Sequence, residues 1–188
     1  NTSGGATVDV VAFVDGRANA IRRAYINDDI ITVSGGTVNA QGKKYQKGRV
    51  KAGWNLGQTP APVHTAVQSA LGSGVWTSAH RGDGVVSGYL IKNPEKDDDF
   101  LDTYPNGDNA TLSLVIDMQL CFDPRNGSHN VNNQVTWAWT ENPVLQLLHY
   151  FLVRRGYSYE KKILPQIDKW IAAANVCDEI ISGEKRYR

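Results

Sequence analysis

The sequence predicts an α+β chain, with an antiparallel, β-rich N-terminal and central part and helices concentrated in the C-terminal third. Three observations predict it. Apolar residues recur with period two in several segments before residue 122. Glycine-rich and polar turns separate those segments. Helical spacing then dominates after Asn142. Strands first and helices last is the pattern of an α+β domain.

Residues 1–6 are rich in Gly, Ser and Thr and are expected to fray. Val8, Val10, Ala12 and Val14 then alternate with Asp9 and Asp15 as a strand closed by Gly16. Residues 17–25 follow neither period. Residues 30–33 are a short β-branched run ending at the turn Ser34-Gly35-Gly36. Val50, Ala52, Trp54 and Leu56 alternate with Arg49, Lys51, Gly53 and Asn55, a half-buried strand. Pro60 and Pro62 open a helix carrying Val63, Val67, Ala70 and Leu71, which Gly72 stops. Residues 85–92 read as another strand between Gly84 and Pro94.

The longest alternation is 112–122, with Leu112, Leu114, Ile116, Met118, Leu120 and Phe122 on one face. It exceeds an ordinary strand length, so a bend or bulge is expected within it. A polar loop, 123–135, follows. Trp137 and Trp139 alternate with Thr136 and Ala138, which points both rings the same way on a strand; core packing or a subunit contact is the favoured role. Asn142-Pro143 is an N-cap with proline at the first helical position. Val144, Leu147, Leu148 and Phe151 line one face of that helix, which Arg154-Arg155-Gly156 closes. A last helix is expected from Pro165 to about Ile181, burying Ile167, Trp170, Ile171 and Ala174.

At 188 residues the chain can bury roughly 70% of its unfolded surface without a metal or disulfide staple. Twenty basic and 19 acidic residues give a net charge of +1, so no strong field draws it to nucleic acid or anionic lipid. No apolar run spans a bilayer and no signal peptide is visible. The first residue is Asn1, the single methionine is Met118 and the chain stops abruptly at Arg188, so it reads as a piece of a longer protein. Cys121 and Cys177 are too few for a disulfide framework and read as buried apolar residues.

A search for chemistry assigns no catalytic, cofactor-binding or metal-binding residue, and no cofactor. His64, His80, His129 and His149 have no ligand spacing. No nucleophile elbow or phosphate-cradling loop occurs, and a dispersed Ser-His-Asp triad has no local support. The acidic run Glu95-Lys96-Asp97-Asp98-Asp99 lacks the alternation of a calcium loop and reads as solvated. Arg81-Gly82-Asp83 is explained by a turn. The sequons at Asn1, Asn109 and Asn126 carry weight only in a eukaryotic secretory context.

A series of short motifs, in order, carries a resemblance. It runs through Trp54-Asn55-Leu56-Gly57, Val75-Trp76-Thr77-Ser78-Ala79-His80-Arg81-Gly82-Asp83-Gly84 and Phe100-Leu101-Asp102-Thr103-Tyr104-Pro105-Asn106-Gly107. Cys121-Phe122-Asp123-Pro124-Arg125, Trp137-Ala138-Trp139-Thr140-Glu141-Asn142-Pro143 and Leu147-Leu148-His149-Tyr150-Phe151-Leu152 follow. Arg155-Gly156-Tyr157, the stretch from Ala172 to Glu179, and Arg186-Tyr187-Arg188 complete it. This order resembles the hub region of phage tail tip attachment (host-specificity) proteins and related baseplate proteins, over about residues 48–188. The resemblance implies a tail-hub-like α+β domain over 48–188, with 1–47 an inserted or accessory β lobe. It implies a non-enzymatic virion structural protein, made in the bacterial host cytoplasm and placed at the tail tip. Its partners would be other tail proteins, two further copies in a full-length homotrimer, and a host surface receptor reached through other domains. Nucleic acid and a membrane span are not implied.

Two other readings compete. A carbohydrate- or receptor-binding module would show Trp54, Trp76, Trp137 or Trp139 exposed in a groove. A cell-wall hydrolase would show a cleft with two facing carboxylates of shifted pKa.

Overall fold

The computed structural model describes residues 5–40, 44–45, 48–107 and 109–187. The protein is α+β, with a seven-stranded antiparallel curled sheet in its N-terminal and central part and helices in its C-terminal third. The chain divides into two compact units, 1–117 and 118–188.

The first unit is built on β1 (Thr7–Asp15), β2 (Ala20–Ile26), β3 (Asp29–Ser34), β4 (Thr37–Ala40), β5 (Val50–Leu56), β6 (Val85–Lys92) and β7 (Leu112–Asp117). Strands β2 to β6 form a meander; β1 adds beside β6 and β7 beside β2, giving the order β1-β6-β5-β4-β3-β2-β7. The boundary at residue 48 falls inside this sheet, where Thr37 of β4 pairs with Lys51 of β5.

Curling gives the sheet one enclosed face. Ala24, Ile26, Ile31, Val38, Val50, Ala52, Leu90 and Leu112 meet there, with Phe13, Trp54, Phe100 and Tyr104 packed in. Phe13 reaches this core from the face of β1 opposite Val8, next to a register shift between Ala12 and Val14. On the opposite face, Ala6, Tyr89 and Ile91 are covered by helix α1 (Thr65–Leu71) through Val67. Ala6 is thus buried rather than frayed; residues 1–4, with the sequon at Asn1, lie outside the described residues.

The central strand β6 has both faces covered, and close approach fixes its neighbours. A Cβ at Gly53 would stand 2.7 Å from Tyr89 Cε1 on the paired strand. A Cβ at Gly88 would meet the Gly53 carbonyl oxygen at 3.0 Å and Phe13 Cε2 at 3.0 Å. Two glycines therefore admit one aromatic ring on each side of the same strand pair.

Three expectations are corrected in the first unit. Residues 17–25 contribute β2, and a register shift between Ile21 and Arg23 hides its period. The helix after Pro62 starts only at Thr65. The stretch 95–99, expected to be a solvated loop, leads into helix α2 (Asp97–Thr103). Phe100 and Tyr104 anchor the helix on the core, and the Tyr104 hydroxyl donates to the Asn93 carbonyl. The bend expected within 112–122 is present: β7 ends at Asp117, Gln119 takes a left-handed φ of 51°, and pairing resumes at Leu120.

The second unit holds a two-stranded sheet of β8 (Leu120–Cys121) and β9 (Ala138–Trp139), then α3 (Pro143–His149) and α4 (Ile167–Asp178). The polar loop between the strands is a succession of side-chain turns. Asn126, Asn130 and Asn133 each accept a backbone N–H two residues on. Helix α3 continues as a π-helical turn, Tyr150–Arg154, and ends as expected at Gly156, whose φ is 62°; the Tyr157 N–H returns to the Phe151 carbonyl. A second π-helical turn, Tyr159–Ile163, precedes α4. The last helix stops at Asp178 rather than near Ile181, because Ile180–Ile181 form β10, a hairpin with β11 (Glu184–Lys185). No helix among the described residues is long and apolar enough to cross a membrane.

Replacing Gly53 with Val is expected to destabilise the first unit by about 1–3 kcal/mol, the range for overpacking a filled site. Urea denaturation followed by far-UV circular dichroism checks this, and an unchanged midpoint would refute the ring contact.

Candidate functional site

Side chains capable of chemistry converge at a few places in each unit. In the first unit, His64 Nε2 and Ser87 Oγ share a hydrogen bond of 3.0 Å. His64 sits at the start of α1, where its ring serves Ser87 rather than capping the helix. Tyr89 lies edge-on at 5.2 Å. Both partners are buried, at 6% and 7% exposure, so a substrate carbonyl has no route to the hydroxyl. Burial also lowers the pKa of His64, leaving a neutral imidazole. Among the described residues no carboxylate hydrogen-bonds that ring, so the third member of a triad is missing.

The other candidates hold structure as well. Asp83 of Arg81-Gly82-Asp83 accepts the Ala61 N–H at 2.7 Å and pairs with Arg81, which pins the 58–62 loop. The Glu95 carboxylate is taken by Arg49 through two contacts of 3.0 and 3.3 Å. Among the described residues no group of three or more His, Cys, Asp or Glu is placed to hold a metal. Cys121 and Cys177 are buried and free, and burial pushes the Cys121 thiol up to about 11. His80 stacks on Trp76, while His149 packs edge-on to Trp137.

None of the four tryptophans singled out for sugar stacking is exposed. Trp137 is buried against Phe122 and donates from Nε1 to the Asn130 carbonyl at 2.8 Å. Trp54 packs on the enclosed core and Trp76 beside α1.

In the second unit two polar clamps set the helices. Asn142, wholly buried, accepts the N–H groups of Val144 and Leu145 and donates to the Ala174 carbonyl at 2.9 Å, tying the start of α3 to α4. Arg125 makes bidentate contact with Asp123 and reaches Asp178 at 2.8 Å and Asn175 at 2.9 Å on α4. Lys185 takes the other Asp178 oxygen. Asp178 ends α4, where a bare carboxylate would oppose the helix dipole, so two cations meet it there. Burial works to raise both Asp123 and Asp178, but hydrogen bonds, chiefly from Arg125, outweigh it and hold both below the ordinary carboxylate range.

These clamps support a groove of about 480 Å³ between α3 and α4. Val144, Leu147 and Phe151 line one wall at helical spacing, and Gln166, Lys169, Trp170 and Ala173 line the other. Tyr157 stacks on Phe151 at 5.0 Å and Trp170 meets it edge-on at 6.1 Å. Of the helical face Val144, Leu147, Leu148 and Phe151 read from the sequence, Leu148 is buried beside Leu145, Val144 and Phe151 are half-buried, and Leu147 is 48% exposed. Sequence periodicity finds this face but not which of its members stays in solvent. A polar hollow of about 510 Å³ beside it shares Tyr157 and is edged by Asn132, Gln134, Ser158 and Glu160.

Comparison with known proteins finds no matching family model, no matching curated protein and no matching solved structure.

Two acid responses follow from the site geometry. The folded pKa values of Asp123 and Asp178 are depressed, so their stabilisation is complete above the ordinary carboxylate range near pH 4 and is lost as pH falls below it. Arg125→Met is expected to cost roughly 1–3 kcal/mol at neutral pH and to flatten that acid limb; parallel pH curves in thermal melts would refute the clamp. The His64 ring is held neutral, so its NMR titration is expected to fall below the ordinary histidine range, with stability lost as pH drops through about 6.5. A titration at the ordinary value would show that the His64–Ser87 pocket is open to water.

Proposed function

We propose that this chain is a non-enzymatic structural module of a bacteriophage or prophage tail tip, from the hub region of a host-specificity (tip attachment) protein. It contributes to tail assembly and host attachment, acts within a homotrimer of the full-length protein, and resides in the virion at the tail tip.

The observation that carries this reading is the apolar surface of the second unit. Leu147 and Tyr157 are exposed in the lining of the groove between α3 and α4, and Tyr150, Leu164, Val176 and Ile180 are further exposed apolar side chains of the same unit. Isolated exposed apolar side chains are ordinary, but a concentration beside an apolar groove marks an interaction surface. The order of motifs from Trp54 to Arg188 adds the link to tail hubs. A buried Ser87 and His64, arginine-paired Glu95 and Asp123, and inert buried cysteines favour structure over catalysis. The half-buried or buried tryptophans weigh against a sugar-binding platform.

Immunogold electron microscopy with antibody to this chain is the test. On particles released by the bacterium that encodes it, label is expected at the tail end farthest from the head. Unlabelled tails, or label on the capsid, would overturn the assignment.

A further inference from the structure

We propose that the groove between α3 and α4 receives an amphipathic helix from a partner protein whose polar flanks are acidic. The inference rests on the chain being an assembly module and names the chemistry of one partner.

The shape of the walls argues for a helix. Val144, Leu147 and Phe151 are spaced three and four residues apart, and so are Gln166, Lys169 or Trp170, and Ala173. Two helices that each turn such a stripe toward one trough form the seat for a third, whose own side chains at i, i+3 or i+4, and i+7 enter between them. The stripe from Val144 to Phe151 spans eight residues, a rise of about 10 Å, so the occupant contributes about two turns. Ala173 keeps one wall low and permits close approach, while Phe151, Trp170 and Tyr157 supply aromatic floor and end.

Charge selects the partner's chemistry. The lining includes Lys162 and Lys169 and no carboxylate. Among the described residues neither ammonium has a carboxylate partner; Lys169 reaches only the Gln166 amide oxygen, at 3.5 Å. An apolar helix with basic flanks would set like charges against this rim, whereas Asp or Glu beside its apolar stripe would pair with both lysines.

The experiment uses the intact chain, labelled with ¹⁵N. Two synthetic helical peptides of about four turns share one Leu stripe at i, i+3 or i+4, and i+7. One carries Glu at the flanking positions and the other Lys. The Glu peptide is expected to shift the Trp170 indole and the Leu147 and Ala173 amides, and to weaken as salt rises. The double variant Lys162→Glu and Lys169→Glu is expected to reverse the preference between the peptides by about tenfold or more, a change of about 1.4 kcal/mol. Both lysines are exposed, and an unchanged spectrum of the free variant verifies its fold. Equal binding of both peptides, shifts confined to other surfaces, or no binding overturns the proposal. So does concentration-dependent shifting of the same signals without peptide, which would assign the groove to a second copy of this chain. These outcomes are read separately from particle labelling: tail-tip label with no peptide response sinks the groove alone.

Discussion

A strand with covered faces on both sides has to satisfy two cores and two neighbours with a single run of residues, and β6 is that strand. Its edges pair with β1 and β5, Leu90 points into the enclosed core, and Tyr89 and Ile91 point toward α1. Much of the first unit follows from this. Gly53 has no side chain because Tyr89 lies over it, and Gly88 has none because Phe13 and the Gly53 carbonyl approach it. Ser87 puts a hydroxyl inside, and a buried hydroxyl without a partner costs about 1–3 kcal/mol. His64 supplies the partner, which fixes where α1 begins and keeps the imidazole from capping its own helix. The pair that most resembles catalytic chemistry is therefore accounted for by packing.

The second unit solves a different problem. It is the shorter of the two and has less interior, and a small interior stabilises a fold weakly. Its helices are aligned by polar clamps. Asn142 satisfies donors on α3 and a carbonyl on α4 from one buried side chain, and Arg125 gathers two carboxylates and an amide. Such clamps set geometry without consuming apolar side chains. Leu147, Phe151 and Trp170 are left to line a groove whose walls are rigid because the clamps hold them.

What the sequence made legible follows from what periodicity encodes. The alternation in β5 and the buried run of β6 were plain, as were the Asn142-Pro143 start of α3 and its glycine end, because local chemistry alone specifies them. The bulge beside Arg22 and Arg23 erased the period of β2, and the acid-rich start of α2 looked like a loop until Phe100 and Tyr104 met the core. The length of the alternation from Leu112 to Phe122 called for a bend but did not place it. A period of two records which residues are apolar, but not the left-handed φ at Gln119 that ends the strand. The site was half legible: the stripe Val144, Leu147, Phe151 was visible, and its exposure was not.

That last failure bears on function. Apolar residues at helical spacing say that a face is to be covered, and within one chain the nearest covering is the chain's own core. Here α3 carries more apolar surface than its unit covers: Leu145 and Leu148 go inward, while Leu147 stays in solvent beside a groove of about 480 Å³. Leaving that surface bare costs free energy in proportion to its area. Under the assembly role proposed for this chain, a neighbour would cover Leu147 and fill the groove. Lys162 and Lys169 at the rim then do what burial cannot, discriminating among apolar helices by the sign of their flanks.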